Sequence, residues 1–331
     1  MNLPMARIQF LDKLSSSQPK EHPHIKRTNK RFTLILQPPS RKNMIGSALA
    51  LLSALASGIS VVLVSKYSKK SNAFNISLII SCIGMVILWP LAVLLTNLNA
   101  ANLEGLTFFA IGGILTPGLV RLFYYSGLKK LGAPVNSSVF SIYPLYSSIL
   151  AVLLLSEILS LENWVGILCV VFGVIFVETS SREITASDRT SRKSLIFPVL
   201  GGLTLGISNI IRKYALDLYD APILGVAVAY TFSLLPYLLL IALSTSTRKE
   251  LSLKRDFRFF WIAGIGQALS WILSFYALSY AEVSTITPLL SIEPLFVAFF
   301  AYFYLRELER VPPKLVASII LTVFGVVLVI T

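Results

Sequence analysis

Ten long stretches, each apolar along nearly its whole length, constrain this chain more than any motif does. They lie at about 44–65, 73–96, 105–127, 134–156, 161–178, 195–214, 221–243, 259–280, 284–305 and 314–331. About 20 apolar residues, rising 1.5 Å each along a helix, cross the hydrocarbon core of a bilayer. Backbone in lipid must close its own hydrogen bonds, which leaves helices and closed barrels. Barrel strands alternate polar and apolar residues over about ten positions, and these stretches do not. The expected fold is therefore an all-α membrane protein of about ten transmembrane helices. The charge content agrees: 14% of residues are charged, against roughly a quarter in a soluble domain.

The formal charge of +13 does not point to nucleic acid, because of where it sits. Residues 1–43 hold Arg7, Lys13, Lys20, Lys26, Arg27, Lys30, Arg31, Arg41 and Lys42 against Asp12 and Glu21. That polar, proline-bearing tail is expected to be disordered or loosely attached to lipid head groups. Most of the remaining charge lies in short loops between apolar stretches, where it sets topology. Cys82 and Cys169 fall inside apolar stretches and read as small buried residues.

The chain repeats itself. Ser141-Ile142-Tyr143-Pro144-Leu145 in the fourth stretch answers to Ser291-Ile292-Glu293-Pro294-Leu295 in the ninth, and Glu157 answers to Glu307 at the same offset of 150. Val171-Phe172-Gly173-Val174 answers to Val323-Phe324-Gly325-Val326, and Gly58-Ile59-Ser60 to Gly206-Ile207-Ser208. Three matches in order place one repeat at 44–178 and another at 195–331, joined by a Ser/Thr-rich linker at 179–194. Five spans per repeat is an odd number, so the second half is expected to enter the membrane inverted, a recurring plan of secondary transporters.

Loop charges orient the helices. On the side opposite the N-terminus, here side B, the loops carry clusters such as Lys66, Lys69, Lys70 and Arg248, Lys249, Lys254. Side A carries only Arg212 and Lys213. The positive-inside rule puts side B in the cytoplasm and both termini outside. The basic tail argues the other way, but the loops are short and adjoin the helix ends, where the rule applies.

Two phrases recur in a way that resembles a known family. One is Gly118-Leu119-Val120-Arg121-Leu122-Phe123-Tyr124-Tyr125, an arginine with paired aromatics in the third stretch. The other is Pro-Leu followed by an apolar run and a helix-terminal acid, from Pro144 to Glu157 and from Pro294 to Glu307. With the duplication, these resemble the ten-helix EamA-type members of the drug/metabolite transporter superfamily over about 44–331. The resemblance implies export or exchange of metabolites through a central cavity between the halves.

Polar groups at membrane depth are the candidate site. Glu293 lies near the middle of the ninth stretch, where a charge costs a few kcal/mol and marks function by default. It is read as a proton-coupling group or a contact for a substrate amine, with a structural ion pair as the alternative. Arg121 is expected to pair with Glu293, to hold a substrate carboxylate or phosphate, or to snorkel to side B. Pro117, Pro144 and Pro294 interrupt helices where backbone groups would line a cavity. Tyr124, Tyr143, Asn136, Asn209, Gln267, Ser270 and Trp271 add hydrogen-bonding and stacking capacity, though any one of them is more often glue between helices than a ligand contact. Ser60 and Ser208 are read as packing residues.

These features favour a secondary transporter moving an amino-acid-, sugar- or drug-like metabolite by alternating access, coupled to protons or exchange. A membrane-embedded enzyme or a channel is the alternative. The chain has no P-loop, so direct ATP coupling is not expected. Its histidines, His22 and His24, lie in the tail, and no carboxylate cluster suits a divalent metal. No enzyme activity, metal or cofactor is expected. The expected partners are a small-molecule substrate and the lipid bilayer of the plasma membrane, and not nucleic acid. The oligomeric state stays open, a homodimer among the options.

Overall fold

The computed structural model describes residues 41–68, 71–98, 101–124, 126–127, 139–180, 192–249, 251–305 and 313–330. The described residues form helices and connecting turns, with no strand among them. The helices are α1 (Arg41–Ser68), α2 (Ala73–Leu95), α3 (Leu103–Gly113), α4 (Tyr143–Leu154), α5 (Leu161–Ser180) and α6 (Ile196–Leu218). They continue as α7 (Pro222–Phe232), α8 (Leu234–Leu243), α9 (Thr245–Lys249), α10 (Leu253–Tyr280), α11 (Val283–Leu290), α12 (Glu293–Leu305) and α13 (Pro313–Ile330). Five segments are long and apolar enough to cross a membrane, from Arg41–Val64 to Asp256–Tyr280, and four further apolar helices are shorter. Helix α6 is of spanning length at 23 residues but carries Arg212, Lys213 and Asp217 in its second half.

Local chemistry sets several boundaries. Asn72 and Asn102 cap α2 and α3 by accepting from the backbone amides of Asn75 (2.8 Å) and Gly105 (3.0 Å). Ser160 and Asn163 cap α5 reciprocally, each accepting from the other's amide at 3.1 Å. Helix α1 already includes Arg41, Lys42 and Asn43, assigned above to the tail, and α5 extends two residues into the expected linker. Asn136 and Glu307 lie outside the described residues.

The repeated Ser-Ile-X-Pro phrase makes the same turn twice. Leu145 N bonds to Ile142 O at 3.0 Å, and Leu295 N to Ile292 O at 2.9 Å. In both places proline sits in the first turn of the helix that follows, where its missing N–H costs no hydrogen bond. The matched serines also behave alike. Ser60 Oγ donates to Ala263 O on α10 at 2.6 Å, and Ser208 Oγ to Gly112 O on α3 at 3.1 Å.

The helix contacts follow the same exchange of halves. Helix α1 packs on α10 and α12 as α6 packs on α3 and α4, while α2 packs on α10 as α7 packs on α3. The α5–α13 pair approaches closely. A Cβ on Gly325 would come within 2.7 Å of Gly166 O and Val170 N, so backbone meets backbone there.

One end of the bundle is solid. The largest apolar core gathers Ala50, Ala92, Leu216, Ala221, Ala277, Ala281 and Val283. These residues come from the side A ends of α1, α2, α6, α7, α10 and α11. Glu157 seals that end. Ser156, just past α4, adopts a φ of 57°, the left-handed turn that commonly ends a helix. The chain then carries Glu157 to the start of α11, in the other half. There its carboxyl oxygens accept from Val283 N (2.8 Å), Ser284 N (3.0 Å) and Ser284 Oγ (2.5 Å). A carboxylate at a helix N-terminus satisfies free amides and complements the helix dipole.

Candidate functional site

The helices separate on the other side of that plug. A cavity of about 670 Å³ reaches from mid-depth, at Ser53 and Ser270, to Val64 and Ser71 at the side B ends of α1 and α2. Its size suits a small organic solute. Broken backbone forms part of the wall. After α3 the chain passes through a π-helical turn, Ile114–Leu119, where Thr116 has extended φ/ψ of −142° and 121° and precedes a cis Pro117. Tyr237 Oη lies within hydrogen-bonding distance of the carbonyls of Pro117 (3.2 Å) and Gly118 (3.3 Å), just past this break.

Most of the candidate residues come together here. Glu293, Arg121, Tyr143 and Tyr124 line the cavity, as do Asn209, Gln267 and Trp271, and Pro117 and Pro294 contribute at the breaks. Pro144 does not line it; it is buried in the first turn of α4, where it starts the helix.

Glu293 opens α12 and accepts from Ser57 Oγ at 2.5 Å, while Gln267 Nε2 donates to the same hydroxyl at 3.1 Å. Ser57 thus joins α1, α10 and α12 around one carboxyl. Arg121 does not turn to Glu293. Its Nη1 donates to Ser81 Oγ (3.0 Å) and Ser77 O (3.5 Å) on α2, so these two charges take different partners. Tyr143 Oη reaches Thr287 O across the halves at 3.4 Å.

Arg212 corrects the sequence reading, which set it in a side A loop. It lies within α6 at 3% exposure and lines the cavity. Its Cζ lies over the rings of Trp271 (4.8 Å to the centroid) and Phe275 (5.5 Å), and Nη2 donates to Asn209 Oδ1. Asn209 is in turn held by its own donation to Ser147 Oγ at 3.0 Å. The next residue, Lys213, pairs with Asp217 at 3.0 Å and donates to Leu278 O, tying α6 to α10 near side A. The repeat held the missed signal. Arg212 corresponds to Val64, 148 positions earlier and still within the first apolar stretch. Ser57 was likewise missed, since a serine in a membrane helix reads first as packing.

Among the described residues, no group of three or more His, Cys, Asp or Glu side chains comes together as metal ligands would. The wall instead offers hydroxyls, two amides, aromatic faces, two guanidinium groups and one carboxyl. That set can bind and orient a polar solute.

The architecture is shared with a protein of known crystal structure, at a TM-score of 0.68 and 13% identity over 86% of this chain and 96% of the other. At that identity the likeness establishes the fold alone. No curated protein matches by sequence. The sequence profile of the EamA-like transporter family matches residues 44–179 and again residues 192–331. Matched twice and over most of its length, this chain belongs to the EamA-like transporter family, a family of membrane transporters.

Proposed function

We propose that the protein is a secondary carrier of a small organic solute, working by alternating access between two inverted five-helix repeats, 44–178 and 195–331, in the plasma membrane. The observation that carries this reading is the cavity itself. It lies between elements of both halves, approaches side B at Val64 and Ser71, and ends at the apolar core on side A. One half of a rocking cycle needs such a shape, with a mid-depth site reached from one face and sealed from the other. The exchange symmetry of the helix contacts supports an equivalent state, open at side A, once the Glu157 clasp on α11 is released.

Glu293 is the coupling group in this reading. It is a carboxyl on the cavity wall, without a cationic partner among the described residues, held by one hydroxyl that can follow its protonation. Counterflow in proteoliposomes tests the carrier. Preloaded solute should accelerate uptake of its labelled form, and a flux with no acceleration at any solute would mark a channel. Glu293→Gln should then keep binding and exchange but flatten the pH dependence of net uptake, because the amide mimics the protonated acid and cannot ionise. An unchanged pH profile in a folded variant removes Glu293 from the coupling step.

A further inference from the structure

Among the described charged side chains on the cavity wall, Arg212 is the one with a buried donor that no acceptor meets. Glu293 has Ser57, and Arg121 has Ser77 and Ser81. Arg212 has one uncharged acceptor, Asn209 Oδ1, and its Nε is buried without any acceptor. Among the described residues no carboxylate pairs with it. A guanidinium carries five N–H donors in its plane. Cζ lies over the rings of Trp271 and Phe275, which offer no conventional acceptor to the remaining donors. A buried charge without a counter-charge is strongly unfavourable, and stacking on rings offsets only part of that. Among the described residues the cavity wall holds two guanidinium groups and one carboxyl, so their balance is positive.

We infer that Arg212 is the docking group for the oxyanion of the transported solute, and that the solute is an organic anion, a carboxylate or a phosphate monoester. The rings of Trp271 and Phe275 beside Cζ and the bond to Asn209 hold the guanidinium in place, so it is preorganised for an oxyanion. The apolar stretch of wall formed by Val61, Ile80 and Leu205 takes the organic body. This assignment rests on the carrier reading only in making the cavity the transport site.

The test uses the full chain purified in detergent, with thermal stabilisation as the readout. The probes are a ladder of aliphatic and aromatic monocarboxylates, their primary amides, and the matching phosphate monoesters and alcohols. At least one acid or phosphate monoester should bind roughly tenfold or more tightly than its neutral counterpart, the ratio expected for hydrogen bonds to a charged group. The carboxylate and phosphate arms decide which oxyanion the site takes. Arg212→Gln should erase the difference between acid and amide. Arg212→Lys should restore part of it, keeping the charge and losing the fork. The inference is overturned if no anion stabilises the protein, if amides bind as well as acids, or if the Gln variant still discriminates. Should the Gln variant not fold, the acid-to-amide ratio on the unaltered protein decides. Counterflow with the tightest ligand separates the two readings. An acid bound through Arg212 but never exchanged defeats the carrier and leaves the site. Exchange of neutral solutes that ignores Arg212 defeats the site and leaves the carrier.

Discussion

The two halves supply one frame and two unlike walls. Where the repeat sets Val61 and Val64 in α1, it sets Asn209 and Arg212 in α6, each 148 positions on. Ser57 corresponds in the same way to Leu205, and at an offset of 150 Tyr143 corresponds to Glu293 and Arg121 to Trp271. Every one of these residues lines the cavity. Frame positions are the opposite case: Gly58 and Gly206, Ser60 and Ser208, Gly173 and Gly325 are kept in both halves. The reason is physical. A frame residue meets backbone and has no room to change, whereas a wall residue faces open space. A duplicated bundle can therefore keep its packing while presenting a guanidinium from one half and a carboxyl from the other.

The largest effect should come from breaking the frame. Gly325→Leu puts a Cβ 2.7 Å from backbone on α5, with no flexible side chain to move aside. Overpacking of this kind costs about 1–3 kcal/mol and more where backbone must shift. The expected outcome is loss of monodisperse folded protein on size-exclusion chromatography. A folded Leu variant of wild-type stability would mean that the α5–α13 seam is loose.

Next comes the clasp. Glu157→Ala removes the acceptor of three hydrogen bonds and leaves the first amides of α11 unmet, for a loss of about 2–3 kcal/mol. Thermal unfolding should report it. A cysteine at Ala281, buried in the side A core, should also label faster in a background lacking Cys82 and Cys169. Unchanged labelling would show that the apolar core alone closes side A.

A smaller asymmetry can be read through pH. Glu282 precedes α11, where the repeat places Gly132 in the first half. Partial burial and the Glu157 carboxylate push the Glu282 carboxyl above the ordinary range, against the pull of Lys213. A raised folded-state value means that the protonated form favours folding. Stability from this group is full below the unfolded carboxylate range and is lost as pH rises through the raised value. Glu282→Gln should therefore raise Tm slightly at neutral pH and leave it unchanged below about pH 4. A gain at both pH values would make the effect one of packing.

Five spanning helices and the duplication are legible in the sequence because lipid demands long apolar helices and because duplicated frame residues stay put. Most of the candidate wall is legible for a related reason, since polar groups at depth are costly enough to stand out. Arg212 escaped because a charge near the end of an apolar stretch looks like a loop residue, and hydropathy records composition without depth. The partners of Glu157 escaped for another reason. They include backbone amides, which every residue but proline carries, so nothing in Val283 or Ser284 announces them.

The smallest effect should fall on the wall residue that corresponds to Glu293. Tyr143 Oη makes one long bond, 3.4 Å to Thr287 O, and its ring leans on Phe140 with centroids 5.9 Å apart. Tyr143→Phe keeps the ring and gives up a hydrogen bond worth at most about 1 kcal/mol, and the Thr287 carbonyl keeps its bond from Ser291 N. Folding and exchange should therefore stay within about twofold of the unaltered protein, and the pH profile should not move. Glu293→Gln, at the same place in the other half, changes as few atoms and should reshape that profile. The pair is informative because position, burial and helix geometry are matched, so only the ionisable group differs. If Tyr143→Phe instead flattens the pH dependence as strongly as Glu293→Gln, the phenol belongs to the proton path. The two halves would then share the coupling step proposed for Glu293 alone.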